Sequence, residues 1–123
     1  MIANKYTLVL GASENPSRYG NIATKRLRKG GFKVYAYGRK SGVIDGLPIR
    51  TDFPTSEEGI HTVTLYVSAK NQDEYIPMIL DLKPKRVIFN PGTENASFQK
   101  ELEKKGIEAD VSCTLVLLAR GIY

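Results

Sequence analysis

The residues best suited to chemistry lie between Thr7 and Gly20, in the run Thr-Leu-Val-Leu-Gly-Ala-Ser-Glu-Asn-Pro-Ser-Arg-Tyr-Gly. An apolar, β-rich stretch stops at Leu10, a loop of small residues follows, and a helical pattern begins at once. That order builds phosphate sites. Gly11 turns the chain at the end of a strand, Ala12 and Ser13 let the backbone approach a ligand, and the unpaired N–H groups opening the next helix attract anions. The dinucleotide fingerprint G-x-G-x-x-G is not matched: Gly11 takes its first position, but Ser13 stands at the second and Pro16 at the third. The chemistry indicated is the holding of a nucleotide-like anion, with NAD poorly specified.

A second candidate is Tyr37-Gly38-Arg39-Lys40, after a second apolar run. NAD binders usually place Asp or Glu there to accept from the ribose hydroxyls. Arg39 and Lys40 instead suit a ribose phosphate, as in NADP or coenzyme A, or form a solvated basic turn. The segment Asn90-Pro-Gly-Thr-Glu-Asn95 is another small-residue loop that opens a helix. Pro91-Gly92 reads either as turn chemistry or as a close approach of backbone to ligand.

Catalytic equipment is thin. Ser13 has no evident base, because the single histidine, His61, lies at the far end of a strand and reads as a surface residue. Glu14, Asp45, Asp52, Glu57 and Glu58 fall in loops without a recognisable pairing. With one His and one Cys, a zinc site is not expected, and neither a metal ligand nor a catalytic residue is assigned. Cys113 follows the last strand and is either a small buried hydrophobe or a thiol on the ligand edge.

These loops need a frame. Lys5–Leu10 reads as a buried first strand. Tyr19, Ile22, Ala23 and Leu27 recur at helical spacing before Gly30-Gly31, with Asn15 or Ser17 as cap and Pro16 in the first turn. Strands are predicted at Lys33–Tyr37, Leu47–Arg50, Thr62–Val67, Arg86–Asn90 and Ile107–Val111. Helices are predicted over Asn71–Leu82, with Pro77 as a kink, over Asn95–Lys105, and over Thr114–Arg120. Alternating strands and helices imply right-handed crossovers and a parallel sheet. The expected fold is α/β: a three-layer, Rossmann-like, doubly wound parallel sheet of five to six strands, ordered 3-2-1-4-5-6. Its switch point lies between the strands ending at Leu10 and Val67, where ligands bind. The loops Gly11–Arg18, Gly38–Ser41, Ser68–Asn71 and Asn90–Asn95 share that edge.

Composition sets the outer bounds. At 123 residues and 41% hydrophobic, one domain over residues 1–123 with one core is expected. Strand pattern begins too early for a signal peptide, and Leu115–Ala119, the longest apolar run, is too short to cross a membrane. A lone cysteine suits a reducing cytoplasm. The net charge of +5 favours anionic partners. Its densest cluster, Lys25-Arg-Leu-Arg-Lys29, reads as a helix end that suits the macrodipole rather than as a nucleic-acid patch. Neither nucleic acid nor membrane is an expected partner, and the oligomeric state is left open.

The chain resembles the CoA-binding domain family, Rossmann-like domains similar to the nucleotide-binding part of the succinyl-CoA synthetase alpha subunit and found in bacteria as small stand-alone proteins. The matching pieces span nearly the whole chain: Val9-Leu-Gly-Ala-Ser13, Pro16-Ser-Arg-Tyr-Gly20, Gly46-Leu-Pro-Ile49, Gly92 with Asn95, and Cys113. It departs from the stand-alone pattern at Gly38-Arg39, where Asn-Pro is common, and at Ser68–Asn71. The resemblance implies that Gly11, Ala12, Ser13, Arg18, Tyr19 and Gly20 cradle the phosphates of coenzyme A or an acyl-CoA. Gly38, Arg39 and Lys40 then meet the ribose 3′-phosphate, and Ser68, Pro91 and Gly92 line the crevice. Because the synthetase's phosphorylated histidine belongs to a second domain, the expected role is binding without catalysis. The rivals are an NADP-dependent reductase using the same cations, and a basic RNA-associated domain.

Overall fold

The computed structural model describes residues 5–123. Its frame follows from strands that are apolar on both sides. In β1 (Tyr6–Leu10), Leu8 and Leu10 face one side, Val9 faces the other, and all are fully buried. Such a strand must be covered on both faces, which parallel strands joined by helical crossovers provide. β1 lies between β2 (Lys33–Tyr37) and β5 (Ile60–Leu65), and β6 (Arg86–Phe89) and β7 (Glu108–Asp110) complete a five-stranded parallel sheet, β2-β1-β5-β6-β7.

One layer is formed by α2 (Ile76–Leu82) and α3 (Ala96–Lys104), whose Ile79, Leu82, Phe98 and Leu102 pack on Leu8, Leu10, Val63, Leu65, Val87 and Phe89. The other contains α1 (Tyr19–Lys29) and α4 (Thr114–Ala119). Leu27 and Leu118 join the cluster built on Val9, Val34 and Ala36. The three-layer α/β expectation therefore holds, with five strands.

The outer strand of the expected order is corrected. Leu47–Ile49 is β4, paired antiparallel with β3 (Gly42–Ile44) in a hairpin of its own. Asp45 and Gly46 both have positive φ (46° and 84°), as a type I′ turn requires, and Asp-Gly is a preferred pair for it. The local turn captures the strand. Only Arg50 reaches the main sheet, donating from its N–H to Ala36 O (2.7 Å) and accepting from Gly38 N (3.0 Å).

The predicted helix from Asn71 is also shorter. Ala69–Asn71 is a separate 3-10 turn, and α2 starts at Ile76 with Pro77 in its first turn. The missing N–H of a proline costs nothing there, so Pro77 opens the helix instead of kinking it.

Register positions the site. Leu10 pairs with Tyr37 on one side and Leu65 on the other, and Leu65 pairs with Phe89. Four strands thus end level, and their exit loops emerge side by side.

Candidate functional site

Three glycines draw those exits together. Gly11 has φ +108°, and a Cβ on it would stand 2.8 Å from the Tyr66 carbonyl beyond β5. A Cβ on Gly20 would meet Gly11 O at 2.2 Å, and one on Gly38 would meet Ala12 O at 2.4 Å. Their first role is therefore backbone against backbone at the crevice floor. Gly20 does what the third fingerprint glycine does in dinucleotide folds, letting the helix lie close to the strand exit, although it lies well beyond the fingerprint's spacing.

The N-terminus of α1 opens into this floor without a cap. Arg18 occupies the N-cap position with no side-chain bond, and no acidic residue lies in the first turn. The expected capping by Asn15 or Ser17 does not occur. Asn15 Oδ1 accepts instead from Ser17 N (3.0 Å) and Ser17 Oγ (2.7 Å), a local turn that precedes the helix. The N–H groups of Tyr19 and Gly20 have no acceptor among the described residues, leaving the positive end of the helix for an anion.

Beyond β2, Arg39 donates through Nη2 to Glu74 Oε1, and both side chains are exposed. Lys40 has no carboxylate partner among the described residues. Glu14 also faces the crevice, but its carboxylate is engaged by the N–H of Val43 (2.9 Å).

Two buried amides hold the other wall. Asn90, at the end of β6, donates to Thr64 Oγ1 (2.6 Å) and Leu65 O (2.9 Å) and accepts from Thr114 N (2.8 Å). Gln72 donates to Val67 O (2.9 Å) and Thr93 O (2.8 Å) and accepts from Asn95 Nδ2 (2.9 Å). Sequence reasoning assigned neither a role: Gln72 falls within the predicted helix Asn71–Leu82, Asn90 ends the predicted strand Arg86–Asn90, and nothing in the local pattern marks either amide as buried. Gly92 has φ +90° with open space where a Cβ would stand, and its N–H is held by Glu94 Oε1 (3.0 Å). The turn itself demands glycine there.

The result is a crevice of about 990 Å³ at the switch point between β1 and β5, at the large end of ligand pockets. Gly11, Ala12, Ser13, Arg18, Tyr19, Gly20, Gly38, Arg39, Lys40, Ser68, Pro91 and Gly92 all line it. So do Tyr37, Asn71 and Thr93, which lie in the candidate segments without an assigned role, and Tyr66, Val67 and Tyr75, which sequence reasoning did not select. Burial and the neighbouring Tyr75 hydroxyl push the Tyr37 phenol up to about 12. Burial likewise pushes Tyr66 up to about 12. Its hydroxyl lies beside Thr64 and Thr114, which bond each other (2.8 Å) and leave the phenol unpartnered. Both phenols stay protonated near neutral pH.

Cys113 is half-buried at the N-cap of α4, near Tyr66 but outside the crevice lining. His61 is half-buried rather than fully exposed, and it stands at the opposite edge of the sheet with Lys5, Arg86 and Tyr123. Burial, then the charges of Lys5, Arg86 and Lys85, hold its imidazole below the usual value. The unfolded chain therefore binds the proton more readily. His61 contributes stability above pH about 6.5 that is lost as the pH falls. The urea midpoint of a His61→Gln variant should accordingly fall less between pH 7 and pH 5 than that of the parent. Equal falls would remove His61 from the acid response. Among the described residues, no group of three or more His, Cys, Asp or Glu could hold a metal ion, and no helix is long and apolar enough to cross a membrane.

The model of the CoA-binding domain family matches residues 5–119. The chain belongs to the CoA-binding domain family. A protein solved under the description "uncharacterized protein" is 45% identical to this CoA-binding domain, with a TM-score of 0.92, covering 97% of this chain and 98% of that one. A hypothetical protein from Pyrococcus horikoshii OT3 is 29% identical, with a TM-score of 0.79, covering 95% and 82%. The dinucleotide-forming acetyl-coenzyme A synthetase 1 of Ca. Korarchaeum cryptofilum, solved with phosphate and ADP, shares the fold at 20% identity and a TM-score of 0.66, over 85% of this chain and 25% of that one. No curated protein matches the sequence. The family match supports CoA binding and lends nothing to the NADP alternative.

The residues present fit coenzyme A. An uncapped helix end offers N–H donors for a diphosphate, Arg18, Arg39 and Lys40 outnumber the one lining carboxylate, Glu14, and the crevice has room for a long ligand.

Proposed function

We propose that this domain binds coenzyme A or an acyl-CoA in the strand-end crevice, in the reducing cytoplasm, and without catalysis of its own. The supporting observation is that the crevice joins the uncapped N-terminus of α1 to Arg18, Arg39 and Lys40 inside the residues matched by the family. The backbone of Gly11–Ser13 and the first N–H groups of α1 take the diphosphate, with Arg18 adding charge. Arg39 and Lys40 meet the ribose 3′-phosphate. Ser68, Pro91 and Gly92 border the path of the pantetheine arm. Bound coenzyme A supplies a thiol that carries acyl groups, and the protein's part is to hold and orient it.

A thermal-shift panel tests the reading. Coenzyme A should raise the melting temperature more than dephospho-CoA, NAD or NADP. A ligand at a hundred times its dissociation constant stabilises by about 2.7 kcal/mol, several degrees for a domain of this size. A shift with NADP and none with coenzyme A would overturn the proposal.

A further inference from the structure

We infer that Glu74 is a built-in competitor for the ligand's ribose phosphate, held on Arg39 at the crevice mouth, and that it limits how strongly the site prefers a 3′-phosphorylated nucleotide. The inference rests on the CoA reading and adds a specificity-determining residue outside the crevice lining.

The two cations after β2 are in different states. Lys40 has no carboxylate partner among the described residues, whereas Arg39 Nη2 is engaged by Glu74 Oε1. Glu74 does not line the crevice, but it stands between Asn71 and Tyr75, which do. The pair therefore joins the rim beyond β2 to the rim before α2. The backbone beneath Arg39 is pinned, because Gly38 donates to Arg50 O (3.0 Å) and has no room for even a Cβ beside Ala12 O. Arg39 can change partners only by swinging its side chain.

Exposure decides which partner wins. The side chains of Arg39 and Glu74 are 69% and 59% exposed, so their pair is weak and easily screened. A phosphate monoester carries more charge than a carboxylate and offers a guanidinium bidentate contact. Coenzyme A should therefore take Arg39 from Glu74. The displaced carboxylate stays within a Debye length of the phosphate, about 10 Å at 0.1 M salt, and repels it. Glu74 thus weakens coenzyme A through both the lost pair and the residual repulsion. Dephospho-CoA, which lacks that phosphate, encounters neither effect.

The test is calorimetric titration of the full chain with coenzyme A and with dephospho-CoA, using the parent, Glu74→Gln, Arg39→Ala and the double variant. Glu74→Gln should tighten coenzyme A about two- to fivefold, the range of an exposed ion pair, and leave dephospho-CoA unchanged. The gain should shrink in 0.5 M salt and, when Arg39 is absent, fall to the smaller part that the residual repulsion supplies. An unchanged melting temperature for Glu74→Gln would exclude an effect through folding. Weaker coenzyme A binding by Glu74→Gln would make Glu74 a positioning residue for Arg39 and overturn the inference. Equal tightening of both nucleotides, or an unchanged ratio, would overturn it too while leaving the CoA reading intact. A parent protein that binds neither nucleotide would remove both.

Discussion

The Gly20→Ala variant should lose about 3 kcal/mol of stability, the upper part of the range for an overpacked site. In an ordinary helix the same change gains about 1 kcal/mol, so even the sign is diagnostic. The added methyl would stand 2.2 Å from Gly11 O and 3.0 Å from Gly11 C. The struck segment cannot simply recede, because the N–H groups of Gly11 and Ala12 both donate to Tyr37 O, at 3.0 and 2.9 Å. Relief would have to come from α1 lifting away, which carries its N-terminus off the crevice floor. Urea denaturation together with CoA titration checks this. A midpoint equal to the parent's, or higher, would show that helix and loop are not in close approach.

Asn90→Ala should cost about 3–4 kcal/mol. The side chain ties the end of β6 to β5 and to the start of α4 at once, and its removal leaves Leu65 O and Thr114 N short of partners in a buried setting. Each orphaned group costs about 1–3 kcal/mol. Asn90→Asp keeps the acceptor for Thr114 but turns a carboxylate toward the Leu65 carbonyl. That variant should be destabilised at neutral pH and recover as the pH falls and the carboxyl regains a donor. The Asn90 backbone carbonyl also holds Thr93, through N (2.9 Å) and Oγ1 (2.8 Å), so ligand affinity should fall along with stability. Denaturation at pH 7 and pH 5 separates the cases. A loss below 1 kcal/mol for Asn90→Ala would mean that water replaces the lost bonds.

How well the chain could be read depended on whether the deciding interaction was local. β2 was located at Lys33–Tyr37, its observed span, because a double glycine precedes it and a glycine follows. Asn95 was placed at the opening of α3 and does cap it, accepting from Phe98 N (3.2 Å). The β3–β4 hairpin is equally local, since Asp45-Gly46 lies between apolar pairs, yet the alternation of strands and helices predicts Leu47–Arg50 in the main sheet instead. Pro77 opens α2 where the pattern predicts a kink, because a proline's position alone does not tell a first turn from an interior. The four loops of the switch point were legible from topology, since a parallel sheet presents every strand's carboxyl end at one edge.

The alternation of strands and helices, the two-sided burial of the sheet and the edge at which the loops gather are all legible in the chain alone. Each is written in side-chain periodicity, in turn residues or in chain direction. That Gly20 meets Gly11, that Asn90 and Gln72 are buried hubs, and that Arg39 is already paired with Glu74 follows only from the folded arrangement. Several of these contacts join segments far apart along the chain, such as Arg39 and Glu74 at a separation of 35 residues. They exist because the strand register brings Leu10, Tyr37, Leu65 and Phe89 level. A polar side chain's partner is set by distances of a few ångströms across that edge, and no local pattern encodes them.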